Sequence, residues 1–501
     1  MSSSTPNVPT STDNNNAIPL SLAVLPVIIL MIMLAGSVYY FSDDSSYGGN
    51  QIALLIAAAV ASIIGVRMGF KWDTIEQGII DGISNAMIAV LILLVVGSLI
   101  GSWMLSGTVQ SLIYYGLMLI SAEWFYAAAC LVCAIAAMSI GSSWTVAGTL
   151  GVAFMGMSAA MQLDPAIAAG AVISGAYFGD KLSPLSDTTN LASAVTDTPL
   201  FLHIQNLLWT TIPSFVIALL LFAFMGGEPT LSSAQSIRET MEGLDANFTI
   251  GLHLLLPVFF VFALAWMRVP ALPTILAGAV IGCVFAVIFQ PESVARFVVV
   301  SELGDGLSVV EQNFLAAWKV LFDGYQSDIG NDALDSLLSR GGMSSMLNTV
   351  WLILCAMTFG SVMETVGLLQ RILAAIMSSI ESTTGLIITT VFTCIGANVM
   401  TADQYIAIVL PGRMFKLEYT KRGLASQNLS RTLEDSATMT SPLIPWNTCG
   451  AYMAGTLGVA TLTYLPYTFF NLLGPIFCIA FAVTHFRIIP LTEEEMIEKA
   501  A

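Results

Sequence analysis

The chain has 501 residues, of which 56% are hydrophobic and only 10% are charged, with a formal net charge of −17 at pH 7. A soluble domain carries about 25% charged residues, so this composition excludes a water-soluble globular protein. The acidic balance also argues against a nucleic-acid partner, because phosphate binding requires a basic surface.

Residues 1–18 are rich in Ser, Thr, Asn and Pro and contain no basic residue. They lack the positive region of a signal peptide, so we expect a disordered tail. Apolar stretches follow, each long enough for a membrane helix of about 20 residues. We predict an all-α, polytopic integral membrane protein with roughly 11–13 transmembrane segments. The stretches free of Asp, Glu, Lys and Arg are 14–42, 45–66, 82–122, 124–163, 198–227, 246–267, 269–291, 341–363, 382–402 and 436–486.

Two polar tracts interrupt this apolar sequence. The first is "GDKLSPLSDTTN" at 179–190, and the second is "LEDSATMTSPLIPWNT" at 433–448. Both contain an Asp, a Ser-Pro-Leu and a closing Asn or Thr. Proline removes a backbone hydrogen bond from a helix, so both tracts predict helices broken at membrane depth.

Two further pairs of segments match in the same order. "SIGSSWTVAG" at 139–148 parallels "CIGANVMTAD" at 394–403, and "VVGSLIGSWMLSG" at 95–107 parallels "TFGSVMETVG" at 358–367. The near-constant offset predicts an internal duplication. The predicted units are a repeat over 19–227, a linker over 228–245, a second repeat over 246–490 with an acidic insert at 292–340, and a tail at 491–501.

Loop charges predict how the two halves are oriented. Arg67 and Lys71 place the loop 67–81 in the cytoplasm by the positive-inside rule, and the basic loop 413–431 faces the same side. The counterpart of each basic loop lacks this positive bias. This pattern predicts inverted-topology repeats, which require one re-entrant or broken helix before residue 168. We expect a cytoplasmic (inner) membrane location with both termini in the cytoplasm.

The polar tracts supply hard oxygen ligands of the kind that a small cation prefers. A membrane carboxylate usually marks an ion or proton path, and one that binds either a proton or Na⁺ would couple the two flows. We predict a Na⁺ site at Asp187, Asp180 and Asp435. The other predicted ion- or proton-binding residues are Ser183, Thr188, Thr189, Asn190, Thr438, Ser441 and Asn447, and the predicted secondary relay or tuning residues are Lys181, Glu434, Glu364 and Asp403.

Three stretches of the chain resemble the NhaC-type sodium/proton antiporter family. They are "GDKLSPLSDTTNLAS" (179–193), "EDSATMTSPLIPWNTCGAYMAGT" (434–456) and "GSLIGSWMLSGTVQSLIYYG" (97–116). The resemblance spans about residues 80 to 485 and implies an all-helical secondary transporter of a bacterial inner membrane that exchanges Na⁺ for H⁺. The resemblance does not identify the substrate, since the broader family is also credited with moving organic acids or amino acids together with Na⁺ or H⁺. The acidic insert 292–340 has no counterpart in the first half.

The leading hypothesis is therefore Na⁺/H⁺ antiport without a cofactor, in which Na⁺ and H⁺ are transported ions. The closest alternative is Na⁺- or H⁺-coupled transport of a small organic acid or amino acid, which would require an arginine or a helix N-terminus near the site. A membrane-embedded enzyme is disfavoured, because no nucleophile with a base and no His-Glu-x-x-His motif is present. A passive channel would not need titratable residues at a repeat interface. The expected partners are the lipid bilayer and a second copy of the chain in a homodimer.

Overall fold

The computed structural model describes residues 18–41, 47–227, 231–303, 307–377, 380 and 382–491. The predicted tails, apart from residues 18 and 491, lie outside the described residues. The first half and the linker fold into α1 (Leu20–Phe41), α2 (Gly49–Arg67), α3 (Trp72–Leu105), α4 (Thr108–Leu119), α5 (Phe125–Ile140), α6 (Ser143–Val146), α7 (Val152–Ala160), α8 (Pro165–Leu182), α9 (Asp187–Val195), α10 (Leu200–Phe224) and α11 (Leu231–Asn247).

The second half continues the all-helical pattern. Its helices are α12 (Leu256–Trp266), α13 (Ala271–Phe289), α14 (Pro291–Val300), α15 (Val309–Asp323), α16 (Asp332–Leu338), α17 (Leu347–Thr365), α18 (Leu368–Met377), α19 (Thr383–Thr401), α20 (Gln404–Lys421), α21 (Ser426–Leu433), α22 (Thr448–Leu457), α23 (Thr461–Tyr464) and α24 (Phe469–Thr484). Short π-helical turns lie at Ala147–Gly151 and Glu434–Thr438, and a 3-10 turn lies at Ser441–Leu443.

The protein is an all-α, polytopic membrane protein, but it has fewer full spans than predicted. Among the described residues, 8 helices are long and apolar enough to cross a membrane, or up to 10 if two bent pairs each count as one span. The predicted 11–13 segments assumed that every long apolar stretch crosses the membrane. The stretch 124–163 instead folds back on itself, and the stretch 436–486 is broken into short helices.

The stretch 125–160 forms a helical hairpin, which we call hairpin 1. Near its base, the hydroxyl of Tyr126 donates to the carbonyl of Asp164 at 3.4 Å. At its tip, Gly141 ends α5 with φ 76°, and a Cβ there would lie 2.6 Å from the Cβ of Leu185. Only glycine adopts this conformation without strain and leaves that space. The re-entrant element that the loop charges predicted stays a prediction, because Ala122–Ile140 is itself long and apolar enough to be a candidate span.

The stretch 383–421 forms hairpin 2 in the second half. Near its base, the guanidinium of Arg422 donates to the carbonyl of Ile380 at 3.0 Å. At its tip, Ala402 ends α19 in the left-handed region with φ 57°, and Asp403 caps α20 by accepting from the backbone N–H of Ile406. A left-handed residue followed by a side-chain cap is an efficient way to end one helix and begin the next.

The helices that adjoin the two hairpins pack on different parts of α3. This helix has 34 residues and is therefore about 51 Å long. The helix α4, which follows the C-terminal end of α3, packs on hairpin 1, since a Cβ at Gly116 would lie 2.1 Å from the sulfur of Met157. The end of α17, which precedes hairpin 2, packs on the N-terminal third of α3, where Thr365 adjoins Gly78. The helix next to hairpin 1 and the helix before hairpin 2 therefore contact α3 toward its opposite ends.

Both polar tracts break a helix, as the prolines predicted. The chain leaves α8 at Ser183 and restarts at Ser186, the cap of α9. In the second half it leaves the π-helical turn and restarts at Asn447, the cap of α22. Ser186 follows the hairpin 1 cap Ser142 by 44 positions, the same separation as that of Asn447 from Asp403. Each half therefore contains one hairpin turn and one broken helix at matched positions.

The C-terminal described segment folds back onto α21. Leu424 and Pro490 form an isolated antiparallel bridge, which is the β pairing found in the described part of the chain. The side chain of Asn428 donates to the carbonyl of Ile489 at 2.7 Å and accepts from its N–H at 3.0 Å. The start of α21 is thereby fixed to a segment far along the chain.

Candidate functional site

The four helix N-termini created by the breaks line one cavity of about 140 Å³, which we call the inner cavity. Hairpin 1 contributes Ser142–Thr145, and hairpin 2 contributes Asp403–Tyr405. The broken helices contribute Asp180, Asp187, Thr448 and Cys449. The opposite wall comes from α3 and α13 and is mainly Ala and Ile, with Asn85 as its polar residue. The breaks therefore bring the polar groups of both halves to one place.

Asp180 lies in the last turn of α8 and is 5% exposed. One carboxylate oxygen accepts from the backbone N–H of Ser143 at 3.1 Å and from its hydroxyl at 2.7 Å. The other oxygen is buried without a hydrogen-bond partner. Donors at a helix N-terminus stabilise a carboxylate, so hairpin 1 holds Asp180 while one of its oxygens stays available.

Asp187 is the first residue of α9 and is exposed. Its carboxylate accepts from the backbone N–H of Thr188 at 2.9 Å and from the hydroxyl of Tyr405. Tyr405 belongs to hairpin 2, so this hydrogen bond joins the two halves. Asp187 also lines a second, wider space, which makes it the carboxylate at the mouth of the inner cavity.

That second space is an open cleft of about 650 Å³. Asp187 and Asn190 line it together with Ser142 and Thr145, which also line the inner cavity. Arg268, which follows α12 with φ 62°, contributes a guanidinium to the same cleft. An arginine in the left-handed region is uncommon. The cleft thus carries one acidic and one basic side chain, whereas the inner cavity is acidic.

Asp403 is the third carboxylate of the inner cavity. It is 8% exposed and accepts from the N–H of Ile406 at 2.9 Å as the cap of α20. Glu364, at the end of α17, lies within electrostatic range of Asp403 but does not line the cavity. Among the described lining residues there is no Lys, Arg or His. The inner cavity therefore holds three acidic groups without a basic residue to balance them.

Asp435 does not line the inner cavity. It is fully buried, one of its oxygens contacts the ammonium of Lys181, and that oxygen also accepts from the hydroxyl of Thr210 at 2.9 Å. Lys181 was predicted as a relay or tuning residue, and in the structure its ammonium pairs with Asp435. Because Lys181 directly follows Asp180, the ion pair lies immediately behind the inner cavity.

Most of the predicted hydroxyl and amide ligands serve the helix breaks instead of lining the cavity. The hydroxyl of Ser441 donates to the carbonyl of Thr438 at 2.9 Å, an oxygen that Pro442 leaves without its helical partner. The amide of Asn190 donates to the carbonyls of Pro184 and Ser186. Ser183, Thr188, Thr189 and Asn447 likewise make hydrogen bonds near their own breaks.

No group of three or more His, Cys, Asp or Glu within the described ranges is close enough to hold a metal ion. The predicted trio of Asp187, Asp180 and Asp435 is therefore not assembled around one point. A cation bound in the inner cavity would need one or two carboxylates together with hydroxyl and carbonyl oxygens.

Several residues that the structure places at the site were not predicted from the sequence. Ser143 and Tyr405 hydrogen-bond the two carboxylates, and Gln404 and Cys449 line the inner cavity. The matched sequence motifs could have identified three of these residues. Ser143 lies within the matched motif at 139–148, and Gln404 and Tyr405 directly follow its counterpart at 394–403.

Comparison with known proteins finds similarity to Na⁺/H⁺ antiporters. The model of the Na⁺/H⁺ antiporter family matches residues 175–304 and 297–486. The Na⁺/H⁺ antiporter NhaC of Alkalihalophilus pseudofirmus is 40% identical over 431 residues, which cover 86% of this chain and 89% of that protein.

Two further relatives have names that mention other substrates. The malate-2H⁺/Na⁺-lactate antiporter of Bacillus subtilis is 33% identical over 420 residues, covering 83% of this chain and 85% of that protein. The arginine/ornithine antiporter ArcD of Halobacterium salinarum is 33% identical over 456 residues, covering 90% of each chain.

Proposed function

The chain belongs to the Na⁺/H⁺ antiporter family, and from this premise we propose that it exchanges Na⁺ for H⁺ across the cytoplasmic membrane at the inner cavity. Antiporter relatives over most of its length make it a transporter and not a catalytic enzyme. The site residues and the coupling of the two ions are the proposed part.

The observation that carries the proposal is the unbalanced charge of the inner cavity. Asp180, Asp187 and Asp403 line it, and the described lining has no basic residue. A buried carboxylate is costly unless it is protonated, paired or bound to a cation. The helix N-termini offset part of the negative charge, and protons or a Na⁺ ion would offset the rest.

Competition for the same oxygens would couple the two ions. The free oxygen of Asp180 and the carboxylate of Asp187 can hold either protons or Na⁺. Binding of Na⁺ therefore displaces a proton, and protonation on the other side releases Na⁺. Hydroxyl and backbone oxygens at the breaks would complete the shell, as hard cations prefer oxygen ligands.

The arrangement of the hairpins supports inverted repeats, which alternating access commonly uses. The helix α4, which packs on hairpin 1, and the end of α17, which precedes hairpin 2, contact α3 toward its opposite ends, while the tips of both hairpins line the same cavity. On this proposal the end near Arg67 and Lys421 is cytoplasmic. We also propose that both termini lie on that side and that the chain forms a homodimer within the bilayer.

The direct test is proton release by purified protein on addition of Na⁺, followed by exchange in proteoliposomes with imposed Na⁺ and pH gradients. We expect Na⁺ to release protons and a Na⁺ gradient to drive proton movement. The absence of both in folded protein would refute the proposal.

Arg268 supports a second candidate, Na⁺- or H⁺-coupled transport of a small organic acid or amino acid. It lines the open cleft together with Asp187, and a guanidinium is well suited to bind a carboxylate. Two relatives are named for organic substrates. Uptake of labelled malate, lactate, arginine and ornithine under a Na⁺ or pH gradient would test it, and uptake that persists in Arg268→Gln would exclude this role of the arginine.

A further inference from the structure

Glu434 is a fully buried acid that the exchange mechanism above does not use. It begins the π-helical turn Glu434–Thr438 and is 0% exposed. Neither of its carboxylate oxygens has a well-aligned hydrogen-bond partner within the described structure, and the one hydroxyl known to lie within reach is that of Thr438 in the same turn. Buried polar groups are normally satisfied, so a carboxyl group without a well-aligned partner needs an explanation. Ionisable residues inside a membrane protein are functional candidates.

The charged groups around Glu434 are few. Lys181, Asp180 and Asp435 lie within electrostatic range of it. Lys181 is already paired with Asp435. Arg431 lies one turn earlier on the same helix but points away, since its guanidinium donates to the side chain of Asn206 and to a backbone carbonyl, both at 3.1 Å.

Neighbouring helices add two titratable groups to this region. His203 of α10 lies near Lys181, and its Nδ1 is 2.7 Å from the hydroxyl of Ser430. Cys478 of α24 lies near Asp435. Neither supplies a hydrogen bond to Glu434.

Charge balance then determines the state of Glu434. The ion pair of Lys181 and Asp435 is neutral as a unit. An ionised Glu434 would add a buried charge without a partner, which is strongly unfavourable. The protonated, neutral form of Glu434 is therefore the one that charge balance favours.

We propose that Glu434 is a second proton-exchanging group, so that each Na⁺ bound at the inner cavity releases two protons, one from the cavity carboxylates and one from Glu434. The inference rests on the proposed Na⁺/H⁺ exchange. When the displaced cavity proton leaves Asp187 at the mouth, a Na⁺ at ionised Asp180 adds positive charge beside Lys181, the next residue of α8, and so toward the buried cluster. Added positive charge favours the ionised form of a nearby carboxyl. One Na⁺ then exchanges for two H⁺, and one net charge crosses the membrane per cycle.

The test is the flux-reversal point of exchange in proteoliposomes whose membrane potential is held at zero. A tenfold Na⁺ gradient is balanced by about half a pH unit when two protons exchange for one Na⁺, and by about one unit when one proton does. We expect about half a unit for the wild type and about one unit for Glu434→Gln. The variant should fold, because an amide has nearly the same shape and can still hydrogen-bond the hydroxyl of Thr438. Glu239→Gln on α11, where Glu239 is exposed and far from the cavity lining, is the matched control and should reverse where the wild type does.

Two results would overturn the inference while leaving exchange intact: a wild type that reverses at one unit, and a Glu434→Gln variant that still reverses at half a unit. If the variant does not fold, the count of protons released per Na⁺ bound by the purified wild type decides the question, and a ratio of one overturns the inference. A wild type with no Na⁺-driven proton movement would instead refute the proposed function itself.

Discussion

The hydroxyl of Tyr405 donates a hydrogen bond to the carboxylate of Asp187, and these two residues come from opposite halves of the chain. Tyr405 lies at the tip of hairpin 2, and Asp187 starts the second part of the broken helix in the first half. Asp187 also marks the boundary between the open cleft and the inner cavity. The contact therefore fixes the orientation of the carboxylate through which an ion from the cleft would enter.

Replacing Tyr405 with Phe should raise the KM for Na⁺ while changing kcat little. A hydrogen bond to a charged group contributes about 1.5–3 kcal/mol, and its lower bound corresponds to roughly a tenfold change in KM. The measurement is Na⁺-dependent exchange in proteoliposomes. Tyr39→Phe, at an exposed position on α1, is the control. An unchanged KM would show that the phenol does not orient Asp187.

Asp187→Asn and Asp180→Asn should each abolish Na⁺-induced proton release. The amide keeps the shape but removes both the charge and the titratable proton, so the residue can no longer alternate between ions. Asp197→Asn is a suitable control, since Asp197 is exposed and pairs with Lys416 away from the cavity. Undiminished release from either cavity variant would remove that residue from the site.

Removing one partner of the buried pair Lys181–Asp435 should destabilise the protein. A buried charge left alone costs about 3–5 kcal/mol, so Lys181→Met and Asp435→Asn should lower the thermal midpoint of purified protein. The double change Lys181→Met with Asp435→Leu should recover much of the loss.

The exposed pair Lys416–Asp197 provides the comparison, since such pairs contribute about 1 kcal/mol or less. If Asp435→Asn kept full stability and lost Na⁺ binding, Asp435 would be an ion ligand, as the sequence suggested, and not a structural partner of Lys181.

The two hairpins should be reachable from opposite sides of the membrane. Cysteines placed at Asp164 and at Lys421 mark the bases of hairpin 1 and hairpin 2, and both positions are exposed. The seven native cysteines are buried, which keeps the background low. An impermeant maleimide should label the Lys421 position only from the cytoplasmic side and the Asp164 position only from outside. Labelling of both from one side would refute the inverted repeat.

Gly141→Ala should disrupt the tip of hairpin 1. The new Cβ would lie 2.6 Å from the Cβ of Leu185 and 2.7 Å from its carbonyl carbon, in addition to the strain of φ 76°. Overpacking of this kind costs about 1–3 kcal/mol. Gly330→Ala separates the two effects, because Gly330 has φ 78° but nothing within 4 Å of its added Cβ. Equal thermal midpoints for the two variants would show that contact with Leu185 is unimportant.

Local chemistry made parts of this architecture predictable. The Ser-Pro-Leu motifs indicated broken helices, and breaks are found at both. These features depend on residues close together in the chain, such as a proline without an N–H or a glycine with positive φ.

Contacts between segments far apart in the chain could not be predicted from the sequence. The tract containing Asp435 resembles the tract containing Asp187, yet Asp187 lines the cavity and Asp435 pairs with Lys181, which is 254 positions away. The predicted 11–13 segments exceed the 8 to 10 candidate spans of the described residues, because hydropathy does not show where an apolar stretch such as 436–486 is broken into short helices.

The fold-back of the C-terminal described segment has a consequence for biogenesis. Asn428, at the start of α21, exchanges two hydrogen bonds with Ile489, which the ribosome adds 61 residues later. The helix leading to Glu434 and Asp435 is therefore inserted before the segment that fixes its start has been made. Newly made protein should pass through a stage in which its helices are in the bilayer but Ile489 has not yet fixed the start of α21, the helix that leads to Glu434 and Asp435. A nascent chain arrested before residue 489 would capture that stage.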